Sequence, residues 1–87
     1  MGDLYREGDL RIRAWPGDHD PIHVHVSTKN GEYEVKIDIS KDEVEALTPA
    51  KDERIRTTPK HTKRALRVCQ ENLEYLREAV RKYYEAQ

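Results

Sequence analysis

Apolar and polar side chains alternate in three stretches of the chain. Leu10, Ile12 and Ala14 interleave with Arg11, Arg13 and Trp15; Ile22, Val24 and Val26 with His23, His25 and Ser27; Tyr33, Val35, Ile37 and Ile39 with Glu34, Lys36 and Asp38. Successive side chains of a strand point to opposite faces, so this period of two predicts three half-buried strands, over about residues 9–15, 22–28 and 33–40. Between the first two lies Pro16-Gly17-Asp18-His19-Asp20-Pro21, dense in turn formers. Between the last two lies Asn30-Gly31, a dipeptide suited to a two-residue hairpin turn. That turn makes His23 face Asp38, His25 face Lys36 and Ser27 face Glu34. Val44, Ala46 and Leu47 fit either a fourth strand or an edge, and Leu4 with Tyr5 either a short strand or a tail.

Further on the period changes. Thr58-Pro59 reads as an N-cap followed by proline at the first helical position, where its missing donor costs nothing. Leu66, Cys69, Leu73, Leu76, Val80 and Tyr83 then recur at spacings of three and four, one apolar seam of a helix over about residues 59–85. At 1.5 Å per residue it would run for about 40 Å, against roughly 23 Å for a seven-residue strand. It should overhang its sheet. Val68, Tyr75 and Ala79 form a second stripe nearly opposite the seam, suited to a second copy or another protein. The expected fold is α+β: an antiparallel three- to four-stranded meander with one long C-terminal helix, its seam packed on the face made by Ile12, Val24, Val26, Val35 and Ile37.

Composition narrows the picture. In 87 residues, with 36% apolar and 38% charged side chains, there is room for one thin core, so residues 1–87 are expected to form one domain that self-association would help. Cys69 is the only cysteine, which excludes an intrachain disulfide and reads as a small core side chain. No signal peptide or membrane span is recognisable, and the expected location is the cytoplasm. The near-zero net charge hides a block from Arg54 to Arg67 with six basic side chains (Arg54, Arg56, Lys60, Lys63, Arg64, Arg67) and no acidic one. Lys60, Lys63 and Arg64 fall in the first turns of the helix, where the macrodipole disfavours cations. Bound phosphate would offset that, as would pairing with the acidic stretch just before the block. His61 in this stretch reads as a solvated surface residue.

The face opposite the helix collects the chemistry. It would hold His23, His25, Arg11, Arg13, Lys36, Asp38 and Trp15, with His19 folded back toward it by the turn. Histidine beside arginine and lysine is the equipment for cleaving RNA through its 2'-hydroxyl, with His as general acid or base and the cations stabilising the transition state. Trp15 suits stacking on a base. Asp38 would accept from His23 and raise its pKa, while Arg11, Arg13 and Lys36 would lower those of nearby histidines, and opposed shifts suit an acid and base pair. Nucleic-acid candidates are Arg11, Arg13, Trp15, Lys36, Lys60, Lys63, Arg64 and Arg67. No cofactor is required by this reading. The alternative is one divalent transition metal on His23 and His25, which share a side of the strand, with His19 or Asp38 as further ligand. A polar strand face tied to a hydrogen-bonded turn explains the same residues without chemistry. A cupin metal motif would need a glutamate where Lys29 and Asn30 stand, and the nucleotide-hydrolysing histidine triad a third histidine where Ser27 stands, so both are excluded.

The run Asp18-His19-Asp20-Pro21-Ile22-His23-Val24-His25 resembles the bacterial and archaeal family called domain of unknown function 4160, whose members carry Asp-His-x-Pro-Pro-His-Phe-His before a short strand and a C-terminal helix. Asp18, His19, Pro21, His23 and His25 match; Ile22 and Val24 replace a proline and a phenylalanine and touch packing more than the histidines. The resemblance covers most of the chain. It implies a small α+β domain without an established activity, often encoded beside another small domain and suspected of belonging to toxin-antitoxin-like modules. Expected partners are therefore a second copy or a small protein encoded nearby, and RNA, with no membrane. Three functions compete: a ribonuclease-like enzyme, a protein-binding or regulatory subunit, and a metal-binding domain.

Overall fold

The computed structural model describes residues 3–14, 22–47 and 56–85. Five strands lie side by side in chain order, β1 (Tyr5–Glu7), β2 (Leu10–Arg13), β3 (His23–Thr28), β4 (Glu34–Asp38) and β5 (Glu45–Leu47), each antiparallel to its neighbour. Two helices follow, α1 (Pro59–Glu71) and α2 (Leu73–Glu85). The α+β meander is the expected one, with five strands in place of three or four. The additional strands, β1 and β5, are three residues each, too short to display alternation, and fall on the two segments that the pattern left open.

The register of the central hairpin agrees with expectation: His23 faces Asp38, His25 faces Lys36 and Ser27 faces Glu34. The turn is longer than the two residues expected. Thr28 N–H donates to the Tyr33 carbonyl at 3.0 Å, leaving a four-residue loop, and Gly31 N–H donates to the Thr28 carbonyl at 2.9 Å. Gly31 takes φ 75°, in the left-handed region that costs a glycine little. Because this loop is centred on the same Asn30-Gly31 pair, the facing residues do not change.

One long helix was expected, and the structure breaks it at Asn72, which has φ −119° and ψ 24°. The Asn72 amide Nδ2 donates to the Val68 carbonyl at 2.8 Å while its backbone N–H reaches the same oxygen at 3.2 Å. A short polar side chain competing for a helix carbonyl is a local reason for the interruption. A straight helix of about 40 Å would also outrun the molecule, whose longest dimension is 32 Å.

The helices cover one face of the sheet. Leu10, Ile12, Ala14, Val24, Val26, Val35, Ile37 and Ile39 are buried there against Ala65, Val68, Cys69, Leu76 and Val80. All five sheet residues expected to meet the helix do so. The helical seam is rotated: Cys69, Leu76 and Val80 lie in it, whereas Leu66, Leu73 and Tyr83 are half-buried at its margin. The second stripe is not a separate surface. Val68 is in the core, and Tyr75 lies edge-on to Tyr5, ring centroids 5.7 Å apart, with its hydroxyl donating to the Leu4 carbonyl at 3.2 Å. The true seam starts at His61, which is buried and not solvated, with Nε2 3.0 Å from the Val26 carbonyl. A carbonyl only accepts, so Nε2 carries the proton. A seam through His61, Ala65 and Asn72 is less apolar than one through Leu66 and Leu73, which is why hydrophobic periodicity favours the wrong one. Among the described residues no helix is long and apolar enough to cross a membrane.

Candidate functional site

The alternation that sends Ile12, Val24, Val26, Val35 and Ile37 to the helices sends Arg11, Arg13, His23, His25, Ser27, Glu34, Lys36 and Asp38 to the other face of the sheet. Across β2 and β3, Arg11 lies opposite Ser27 and Arg13 opposite His25. Three of these polar side chains are buried although they point away from the helices: Asp38 is 4% exposed, His25 7% and Ser27 8%. The His23 and His25 rings lie 5.3 Å apart, tilted by 59°, and His23 Nε2 is sealed from solvent.

Two carboxylates of β4 serve different ends. Glu34 Oε2 stands 3.3 Å from His25 Nδ1. The sequence pattern points to Lys36, the residue directly facing His25, and gives Glu34 no role. The signal that would have found it is the diagonal of an antiparallel pair, two residues along from the direct partner and within reach of long side chains. Asp38, expected to accept from His23, turns instead to its own loop. Its Oδ1 accepts from the Ser40 N–H at 2.8 Å and the Ser40 hydroxyl at 2.6 Å. Burial works to raise the Asp38 carboxyl, and these two hydrogen bonds outweigh it, with Lys41 and His23 adding as nearby charges, so its pKa is lowered.

Beside the histidines runs a row of guanidiniums. Arg6 of β1 faces Arg11 of β2, and Arg13 follows on the same side. Asp3 reaches all three: Oδ2 is 2.5 Å from Arg6 Nε and 3.9 Å from Arg11 Nε, and Oδ1 is 2.7 Å from Arg13 Nε. Burial works to raise the Asp3 carboxyl, and the hydrogen bonds from Arg6 and Arg13 overcome it, so its pKa too is lowered. Asp3 lies ahead of every periodic segment, and its role carries no sequence signal.

The remaining candidates lie elsewhere. Trp15 and His19 fall outside the described residues. Lys60, Lys63, Arg64 and Arg67 are on α1, across the sheet from the histidines, so the basic candidates divide into two separate groups. Two of the basic side chains have partners outside the preceding acidic stretch, Arg64 Nη1 2.6 Å from Asp9 Oδ1 and Arg67 Nη1 2.9 Å from Glu71 Oε1, and Asp52 and Glu53 of that stretch, with Arg54, fall outside the described residues. Lys60 and Arg64 line a cleft of about 610 Å³ with Lys29, Tyr33 and His61. Cys69 is in the core, its thiol pushed up to about 12 by burial, which leaves it a packing side chain. Among the described residues no three His, Cys, Asp or Glu side chains are grouped to hold a metal ion; His23 and His25 are a pair.

A family model described as Domain of unknown function (DUF4160) matches residues 10–79, from the start of β2 into α2. No curated protein and no solved structure matches the chain.

Proposed function

The chain belongs to the DUF4160 family, and we propose that within it this protein is a small RNA-cleaving component of a toxin-antitoxin-like module, acting through the polar face of its sheet. The observation that carries the reading is the adjacency of Arg13, His25 and Glu34 on three neighbouring strands, with the His23 ring 5.3 Å from that of His25. In the tautomer with its proton on Nδ1, His25 donates to Glu34, and Nε2 is left as the basic atom. A carboxylate that fixes the tautomer and orientation of an imidazole is what a general base requires.

In the proposed step His25 takes the proton of a ribose 2'-hydroxyl. The oxygen attacks the adjacent phosphorus, a bond forms to it, and the bond to the 5'-oxygen breaks. His23, acting as the acid through Nδ1 because its Nε2 is sealed from solvent, gives a proton to that leaving oxygen, so a 2',3'-cyclic phosphate and a 5'-hydroxyl result with no other reactant. Arg13, with Arg11 next to it, meets the negative charge that grows on the phosphoryl oxygens.

Cleavage of single-stranded RNA by the purified protein tests this. His23→Ala and His25→Ala should each lower the rate by about 10²- to 10⁴-fold, the usual worth of a positioned acid or base. Glu34→Gln, which acts through His25, should shift the pH profile of the rate as well as lower it. Cleavage undiminished in both histidine variants would overturn the reading.

A further inference from the structure

Three guanidiniums stand side by side on the β1–β2 part of the polar face, an arrangement that repels itself: Arg6 and Arg11 are direct cross-strand partners, and like charges in that position destabilise a sheet. One carboxylate answers all three. Each contact from Asp3 runs through an Nε atom, so Asp3 does not engage the two terminal nitrogens of any of these guanidinium forks. The Asp3 side chain is only 9% exposed, while those of Arg11 and Arg13 are 27% and 33% exposed and that of Arg6 68%. The anion is thus held inside, and the cations reach solvent.

We infer that Arg6, Arg11 and Arg13 form a cradle for a terminal phosphate monoester of a nucleic-acid strand, and that the Asp3 carboxylate is the internal anion this phosphate displaces. The inference rests on the reading of this face as RNA-directed. Guanidinium forks fit carboxylate and phosphate alike, by parallel N–H bonds to two oxygens. A backbone diester offers two free oxygens and one charge, no more than Asp3 already supplies. A monoester offers three oxygens and a charge of about −1.5 to −2 at neutral pH, which matches three guanidiniums and exceeds what it replaces. Arg13 faces His25, so it stands between the cradle and the proposed acid and base, where its fork can bond the terminal phosphate by one nitrogen and the scissile phosphoryl group by another.

The experiment measures binding of a six-nucleotide 2'-O-methyl RNA, which cannot be cleaved through its 2'-oxygen, with and without a 5'- or 3'-terminal phosphate. Wild type should bind a phosphorylated hexamer more tightly than the unphosphorylated one. Asp3→Asn should bind it tighter still, by roughly fivefold or more, as expected for removal of a coupled competitor, with the slope of log K against log salt steeper by about 0.7. Equal affinity for all three hexamers, or an Asp3→Asn affinity equal to or below that of wild type with an unchanged melting curve, overturns the inference. Should Asp3→Asn fail to fold, the wild type decides: phosphorylated hexamer must shift the arginine Nε–H signals of Arg11 and Arg13 and the Asp3 carboxyl carbon in NMR spectra, and unmoved signals overturn it. Tighter binding of the 2'-O-methyl hexamer by Asp3→Asn, together with no cleavage of unmodified single-stranded RNA by the wild type, would keep the cradle and end the nuclease reading. Histidine-dependent cleavage indifferent to Asp3 and to strand ends would do the reverse.

Discussion

The two faces of this sheet are made by the same strands, residue by alternating residue, yet they are held together by different physics. Toward the helices β2, β3 and β4 present aliphatic side chains that are almost wholly buried, each such side chain worth about 1.5 to 3 kcal/mol when removed from water. On the other face His25, Ser27 and Asp38 are buried as well, and burial there yields no such gain. A buried polar group costs free energy unless it is hydrogen-bonded, and even a satisfied one returns only a modest net amount. Glu34 on His25, Ser40 on Asp38 and Asp3 on the arginines are the offsets. The first face therefore stabilises the protein, whereas the second consumes polar partners to hold particular side chains in particular places. Two buried histidines show the contrast within one residue type. His61 is a rivet between α1 and the Val26 carbonyl, and His25 is coupled to a carboxylate beside a second imidazole.

The comparison breaks most readily at Leu76, fully buried on α2. Leu76→Ala should cost about 2 to 5 kcal/mol in chemical denaturation, as other large-to-small core changes do. Leu73→Ala, at the half-buried margin of the seam, should cost less than half as much. Equal losses at the two positions would mean that the seam runs through Leu73 after all.

A smaller effect sharpens the contrast between the histidines. His61→Leu removes a donor to the Val26 carbonyl in a buried setting and should cost about 1 kcal/mol, while leaving any action on RNA at the wild-type rate, because α1 lies across the sheet from the proposed site. A loss of RNA cleavage in folded His61→Leu protein, at the temperature where its melting curve is still flat, would join the two faces that the structure separates.

Much of this was legible in the chain. Strict alternation is a strong signal because one slip moves every side chain to the wrong face, and so the three central strands, their register and the assembly of Arg11, Arg13, His23, His25, Lys36 and Asp38 on one side could be read directly. The helical seam could not. It passes through His61, Ala65 and Asn72, residues that a hydrophobic pattern undervalues, and Leu66 and Leu73 next to it pull the reading round. The pairing of His25 with Glu34 lies on a diagonal, and that of Asp3 with Arg13 spans ten residues with no period to announce it. Side chains that meet through such contacts leave no trace in local spacing, and they are the ones that organise the polar face.

The smallest expected effect separates the faces by acid. Asp38 and Asp3 both have pKa values lowered below the ordinary carboxylate value, so in the folded protein each binds its proton less readily than in the unfolded chain. The stability they contribute is complete above about pH 4, the unfolded value, and is lost as the pH falls below it toward the folded pKa of each. The buried aliphatic side chains of β2, β3 and β4 carry no carboxyl group and respond to none of this. Asp38→Asn retains an oxygen that accepts from Ser40 but cannot titrate. Its stability at neutral pH should fall by less than that of Leu76→Ala, and the acid limb of its stability curve between about pH 4 and pH 2 should be shallower than that of wild type, with Asp3, and with Asp9 and Glu78 whose arginine partners also lower their pKa values, supplying the slope that remains. Leu76→Ala, by contrast, should lower the whole curve without changing that slope. Urea denaturation at a series of pH values measures both. An Asp38→Asn curve that runs parallel to wild type through the acid limb would show that Ser40 does not hold the carboxylate in its charged form, and the polar face would then lose one of the three offsets on which its buried side chains depend.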